Sequence, residues 1–344
     1  MVTPHILVIR LSAMGDVAMT VPVLRAFALQ YPNVKLTVVS RPFFEPLFDS
    51  IPNLEFFSID LKARHHGFFG ILRLFSDLKK LNISHIADLH NVLRSKILCN
   101  LFAINGIKIA ATNKDRSDKK RLTRPKNKVF KPLKTMFERH TITFQKLGFD
   151  LDLSNPNFPK PSVLSDGIVN KILLKKSGKL IGIAPFAQYE SKVYPKDLMQ
   201  KVINELAFNQ ENTILLFGGD QEITALNDFK KDYKNTIVVA GKLSFKEELD
   251  LISNLDVMLS MDSGNGHIAA IFGVPVITLW GATHPFAGFS PFNQPFENAI
   301  VSDRIQFPKL PTSVYGNKKV LGYDVVMRTI APETIIRKIN EIIT

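Results

Sequence analysis

Two short stretches hold residue types suited to gripping an anion. Ser12-Ala13-Met14-Gly15-Asp16 follows an apolar run at 6–11, and Asp262-Ser263-Gly264-Asn265-Gly266-His267 follows another at 257–261. A buried strand that stops at a glycine-bearing turn and opens a helix aims several backbone N–H groups, and the positive end of the helix dipole, at one point. In an open parallel sheet that point lies at the carboxyl ends of the strands, where ligands bind. The second stretch therefore reads as a phosphate site, with a short helix at 267–272 ended by Gly273. His267 sits in its first turn, where a ring N–H reaches a phosphate oxygen or bonds a core carbonyl. Asp16 by itself reads as a helix cap. Lys192, three residues before Pro195, reads as a surface lysine ahead of a helix, and Glu222 as a first-turn acid favoured by the helix dipole.

These junctions need a scaffold of alternating strands and helices, and the chain supplies one twice. In the first half, apolar strands are expected at 6–11, 36–40, 54–59, 85–89 and 107–111. Helical spacing at 17–28, 43–48, 68–81, 92–102 and 137–147 alternates with them. Pro156, Pro159 and Pro161 mark an extended linker. The alternation then resumes with strands at 180–184, 213–217, 236–240, 257–261 and 274–280, helices at 195–208, 220–233 and 244–255, and a closing helix at 332–343. The expected fold class is α/β: two doubly wound, Rossmann-like parallel-sheet domains, 1–155 and 156–330, facing a cleft. The last helix, 331–344, is expected to pack back on the N-terminal domain.

Composition narrows the function classes. A chain with 45% hydrophobic and 22% charged residues can build ordered cores, and 344 residues suffice for two of them. The single cysteine, Cys99, allows no intramolecular disulfide, which suits a reducing compartment. The N-terminus has no basic region ahead of its apolar run, and no stretch is long and apolar enough to span a bilayer, so a cytoplasmic location is expected. The net charge of +13 is concentrated: residues 114–134 hold ten basic side chains against Asp115 and Asp118. This basic loop, 112–134 with the N-terminal domain, is either a solvated segment or a surface for something polyanionic. Neither half has G-x-G-x-x-G after its first strand, and the Walker lysine motif, H-E-x-x-H and G-x-S-x-G are absent, which argues against a bound dinucleotide, an ATPase, a zincin or a serine hydrolase.

Arg10-Leu11-Ser12-Ala13-Met14-Gly15-Asp16 followed by Pro22-Val23-Leu24-Arg25-Ala26 resembles the N-terminal signature of glycosyltransferase family 9, the heptosyltransferases of lipopolysaccharide core synthesis. Asp262-Ser263-Gly264-x-x-His267-x-Ala269-Ala270-x-x-Gly273-x-Pro275, with Leu279-x-Gly281-x-Thr283 behind it, is similar to that family's nucleotide-binding signature. Asp88-Leu89-His90, Arg94-Ser95, Lys192-x-x-Pro195 and Gly218-Gly219 with Glu222 match weaker positions.

The resemblance implies a GT-B architecture and an inverting glycosyltransferase that needs no cofactor and no metal. It would move a sugar, heptose above all, from ADP-heptose or another nucleoside diphosphate sugar to an anionic glycolipid acceptor such as the lipopolysaccharide core. By the same implication Asp16 is the general base, and Lys192, Glu222, Asp262, Ser263, Gly264, Asn265 and His267 hold the donor. The acceptor candidates are Arg64, Arg94, Arg121 and His140, with His65, His66 and Arg139 beside them, because arginine forks suit carboxylate or phosphate. His65-His66 is expected to be surface loop, not a metal site. The expected partners are the donor, the acceptor and an inner-leaflet membrane surface reached through the basic loop, with no nucleic acid. Two other readings stand beside this one: a basic Rossmann-like nucleic-acid-binding protein, and a GT-B sugar-nucleotide epimerase. The chain departs from the family where Pro185-Phe186-Ala187-Gln188 lacks a hydroxyl residue, and where Thr312, Val320 and Val325 stand in a tail that carries cysteines in many relatives.

Overall fold

A computed structural model describes residues 3–174 and 178–344. The chain divides into two compact units, one of residues 1–115 and 135–158, the other of residues 116–134 and 159–344.

The first unit runs β1 (His5–Ile9), α1 (Met14–Ala18), α2 (Val21–Gln30), β2 (Lys35–Ser40), β3 (Leu54–Ser58), α3 (Gly67–Lys79), β4 (His85–Asp88), α4 (Leu93–Ala103) and β5 (Lys108–Ala111). Then α5 (Arg116–Thr123) departs to the second unit, and α6 (Met136–Leu147) completes the first. The second unit continues with α7 (Asp166–Ile172), β6 (Lys179–Ala184), α8 (Lys196–Phe208), β7 (Asn212–Leu216), α9 (Ile223–Lys230), β8 (Thr236–Val238), α10 (Phe245–Ile252), β9 (Val257–Met261), α11 (Gly264–Ile271), β10 (Val276–Trp280), β11 (Ala299–Val301) and α12 (Pro332–Ile343).

All strand pairs are parallel, in the orders β3-β2-β1-β4-β5 and β11-β10-β9-β6-β7-β8. Both sheets are doubly wound, as expected. Each chain path runs outward from its first strand and then returns to that strand's other side, which places a topological switch point between β1 and β4 and another between β6 and β9. Ile9 pairs with Asp88 at the end of the first junction, and Ala184 pairs with Ser260 at the end of the second. The two signatures thus leave the strands where a doubly wound sheet opens a crevice. β1, β7, β9 and β10 are buried over their whole length, which is why they read as continuous apolar runs without alternation.

Four expectations are corrected. The helix read at 17–28 is two helices, broken at Met19-Thr20, where Pro22 opens the second within its first turn. Three elements have no counterpart in the expected series: α5, α7, and β11 inside the irregular tail. The segment 116–134 belongs to the second unit, and it opens with a two-turn helix. It is fastened there by Lys128, whose Nζ donates to the carbonyls of Leu122 (2.9 Å) and Pro311 (2.7 Å), and by Arg304, whose guanidinium lies 3.3 Å from the centre of the Phe130 ring. Finally, α12 packs on α8 and β9 in the second unit, with Ile335, Ile339 and Ile343 entering its core. Each such side chain contributes about 1.5–3 kcal/mol on burial.

Candidate active site

At the β1–β4 switch point the chain leaves β1 as Arg10, whose side chain is buried. Its Nη1 donates to the Leu89 carbonyl at 2.6 Å, and its Nη2 lies 2.6 Å from Asp16 Oδ2. The arginine is clamped to the residue just past the end of β4, and it in turn fixes the carboxylate on α1. The Asp16 side chain keeps 32% of its surface exposed, so a reactant can approach it. Oδ2 also accepts a long bond from the Ala13 N–H at 3.4 Å, so the capping reading holds alongside any chemical role. Buried Asp88 accepts from the N–H groups of His90 (3.0 Å) and Asn91 (2.8 Å), which sets the loop beside Arg10. His90 is pushed down to about 4, chiefly by burial and then by Arg10 and Lys114, so it is neutral at pH 7. Arg10 and His90 were not assigned roles in the sequence. The signal was there, since an arginine directly after a buried strand must find partners.

At the β6–β9 switch point, Lys192 is not a surface lysine. It ends a 3-10 turn at Glu190–Lys192, and its Nζ lies 3.1 Å from Asp262 Oδ2, with the two side chains 13% and 9% exposed. The turn is braced by Ser191, whose Oγ donates to the Gly316 carbonyl (2.6 Å) and whose carbonyl accepts from the Ala282 N–H (3.0 Å). Gly316 has φ +85° and presses so close that a Cβ there would lie 2.5 Å from Lys192 Cδ.

Ser263 is the N-cap residue of α11, yet its hydroxyl does not cap the helix; it lies 3.1 Å from Ser260 Oγ. The first-turn N–H groups, which an α-helix leaves without internal acceptors, are thereby left for an anion in front of Gly264 and Asn265. Gly266 lets α11 sit close on β9, since a Cβ would lie 3.2 Å from Ser260 Oγ. His267 is buried in the same turn. Glu222 turns its Oε2 to the Gly219 N–H at 2.8 Å, closing the turn after β7, and also lines a cavity of about 790 Å³. Phe186, Ala187, Ser191 and Thr312 line it too, as do Lys318 and Lys319 from the tail, where no local motif marks them. A volume of this order suits a nucleotide-sized ligand. Among the described residues, no group of three or more His, Cys, Asp or Glu side chains is placed to hold a metal ion.

The acceptor candidates do not form one set. Arg64 is exposed and makes a bidentate pair with Asp77, at 2.9 Å for both bonds, which holds the Asp77 carboxyl down at about 2. Arg94 Nη1 donates to the His65 carbonyl at 2.9 Å, so these two share one edge of the first unit. Arg121 is corrected: it lies in the second unit, paired with Asp118. His140 is corrected as well, because it is wholly buried and offers a ligand no surface; burial, then Arg10 and Arg139, press it down to about 3. His65 is no surface loop either. It is buried, with Nδ1 accepting from the Asp60 N–H at 3.0 Å and Nε2 3.3 Å from Asp77.

Comparison with known proteins agrees with this geometry. Residues 71–316 match the family model described as "Glycosyltransferase family 9 (heptosyltransferase)". The lipooligosaccharide heptosyltransferase 2 of Haemophilus influenzae is 26% identical over 98% of this chain and 99% of its own length. Among solved structures, a family 9 glycosyltransferase from Veillonella parvula superposes with a TM-score of 0.74 at 18% identity, covering 100% of this chain and 98% of that one. The E. coli ADP-heptose lipopolysaccharide heptosyltransferase II does so with 0.69 at 19% identity, covering 98% of each. The architecture is therefore GT-B. With the family signature matched across most of its length and a fixed, accessible carboxylate at its first switch point, the chain belongs to glycosyltransferase family 9, the heptosyltransferases, and is a glycosyltransferase.

Proposed function

We propose that the protein transfers heptose, with inversion, from ADP-heptose to a sugar hydroxyl of the lipopolysaccharide core or a related anionic glycolipid. The observation that carries this reading is the Arg10–Asp16 pair: a carboxylate held by a buried guanidinium, 2.6 Å away, with about a third of its surface open. The acceptor oxygen attacks the anomeric carbon as the bond to the donor's diphosphate breaks. Asp16 takes the hydroxyl proton as the glycosidic bond forms, a task that requires a near and ionised base. The diphosphate leaves with growing negative charge, which Lys192 and the first-turn amides of α11 neutralise from fixed positions. Asp262 orients Lys192, and the cavity beside Glu222 takes the nucleoside. The donor carries its own activated bond, so these steps draw on no cofactor.

The acceptor would be met at the inner leaflet of the cytoplasmic membrane. No described helix is long and apolar enough to cross a membrane. The exposed cations of 116–134, among them Arg116, Lys120, Lys126, Lys131 and Lys134, supply attraction to anionic headgroups.

Asp16→Ala tests the reading. It should bind ADP as the wild type does, while transfer falls by about 10²–10⁴-fold, the range of a lost general base. Near-normal transfer by this variant would remove Asp16 from the mechanism.

A further inference from the structure

The first unit exposes an apolar cluster that its own fold does not use. Phe68, Phe69 and Leu72 in the opening turns of α3 are 60%, 74% and 38% exposed, and Leu93 at the start of α4 is 76% exposed. The same helix buries Gly70, Ile71, Leu74 and Leu78 on its other face, so the exposed residues are not part of its packing stripe. α3 and α4 pack side by side, and Arg94 bonds the carbonyl of His65, which brings both helix starts to one edge.

That edge is stiff. The Asp60 carboxylate accepts from the N–H groups of Lys62, Ala63 and Arg64, and Gly70 approaches so closely that a Cβ would lie 2.2 Å from the His65 carbonyl carbon. The two phenylalanine rings stand edge to face with centroids 6.0 Å apart. An apolar group held rigidly in water is a surface prepared for a partner.

The surrounding charge says which partner. Residues 60–80 carry Lys62, Arg64, Arg73, Lys79 and Lys80 against two acids, Asp60, whose carboxylate is taken up by three backbone N–H groups, and Asp77, which is engaged by Arg64 and His65. α4 adds Arg94 and Lys96 and no acid. A second copy docked through this face would oppose two cationic surfaces, which is unfavourable. Aromatic and aliphatic side chains projecting from a basic collar are instead the composition of an interfacial membrane anchor, with rings at headgroup depth and lysine and arginine among the phosphates. The location fits as well, since Leu93 lies three residues beyond His90 and α3 begins after β3. The cluster therefore borders the carboxyl-end edge that carries Asp16.

We infer that Phe68, Phe69, Leu72 and Leu93 form a wedge that seats the first unit in an anionic lipid surface, so that a membrane-anchored acceptor presents its sugar to Asp16. The link to the acceptor rests on the function proposed above. The docking itself does not, and no transfer assay enters its test. Loss of transfer with vesicle binding intact would count against the proposed reaction alone.

The full chain is sedimented with mixed phosphatidylethanolamine–phosphatidylglycerol vesicles. In Phe68→Ser/Phe69→Ser, partitioning should fall by at least about tenfold, with unchanged melting, since moving even one phenylalanine out of water is worth about a decade. Phe69→Trp supplies an independent reading. The protein's single tryptophan, Trp280, is already 1% exposed, so an emission shift to the blue on adding vesicles reports the introduced indole alone. Wild-type sedimentation by the double variant overturns the inference. So does an emission that stays unshifted while the protein sediments. A wild-type dimer in gel filtration that Phe68→Ser/Phe69→Ser dissolves would also overturn it, by showing the patch to be an interface between copies.

Discussion

Lys192→Met keeps an unbranched stem of similar length and removes the charge, so it isolates what the ion pair with Asp262 does. At 3.1 Å and an effective dielectric of about 20, the attraction is about 5 kcal/mol, much of it offset by the desolvation of both groups. Removing one partner returns none of that desolvation, because the Asp262 side chain is only 9% exposed. The expected loss is therefore about 3–5 kcal/mol, the range for breaking a buried pair. The second unit spans 116–134 and 159–344. For a unit of that size this is a drop in melting temperature of about 10 °C. Adding Asp262→Asn should recover about half of the loss by discharging the orphaned carboxylate. Catalysis should not recover: kcat should fall by about 10²–10³ in both variants, as when one fixed electrostatic donor is removed from a developing charge. Differential scanning fluorimetry and coupled detection of released ADP read the two effects separately. If Lys192→Met melts with the wild type, or the double variant is no more stable than the single, the pair is not the buried interaction described. If kcat survives, Lys192 does not face the leaving group.

Gly316→Ala attacks the same lysine without touching its charge. The new methyl group, at a residue with φ +85° and 2.5 Å from Lys192 Cδ, must displace the stem, so donor KM should rise while the acceptor's KM holds in initial-rate kinetics. His140 predicts a pH dependence of stability. Its folded value of about 3 lies below the ordinary 6.5, so between those values the unfolded chain binds a proton that the folded chain refuses. Stability is therefore complete above pH 6.5 and is lost as pH falls toward 3, by up to about 1.4 kcal/mol per pH unit for this one group. His90 and His284, each lowered to about 4, act in the same direction. Urea midpoints measured between pH 7 and pH 5 should fall less steeply in His140→Leu, and an unchanged slope would refute the assignment.

Much of the candidate site is legible in the chain because its signals are local. A buried strand, a small-residue turn and a helix start occupy about ten consecutive residues, so 6–16 and 257–267 announce themselves without reference to anything distant. What each side chain meets there is another matter. Asp16 and Asp262 were read as a possible base and a possible ligand, but their fixed positions come from Arg10 and Lys192. The second of these pairings spans 70 residues of sequence. The tail lysines at 318 and 319 and the bracing carbonyl of Gly316 have no pattern at all; they become visible only when the chain returns to the cavity wall.

Periodicity, apolar runs and turn residues act over a few positions, so most of the strands and helices, the two parallel sheets and the two junctions at their carboxyl ends follow from the chain alone. Tertiary structure alone decided which unit holds the basic segment, where α12 docks, and which charged side chains are accessible. Arg121 and His140 show why. An arginine fork and an imidazole have the same chemistry wherever they stand, but Arg121 is carried into the second unit by its segment's contacts with residues as distant as Pro311, and His140 is closed off at 0% exposure inside the first. Burial and long-range pairing are properties of the packed chain, and no window of sequence contains them.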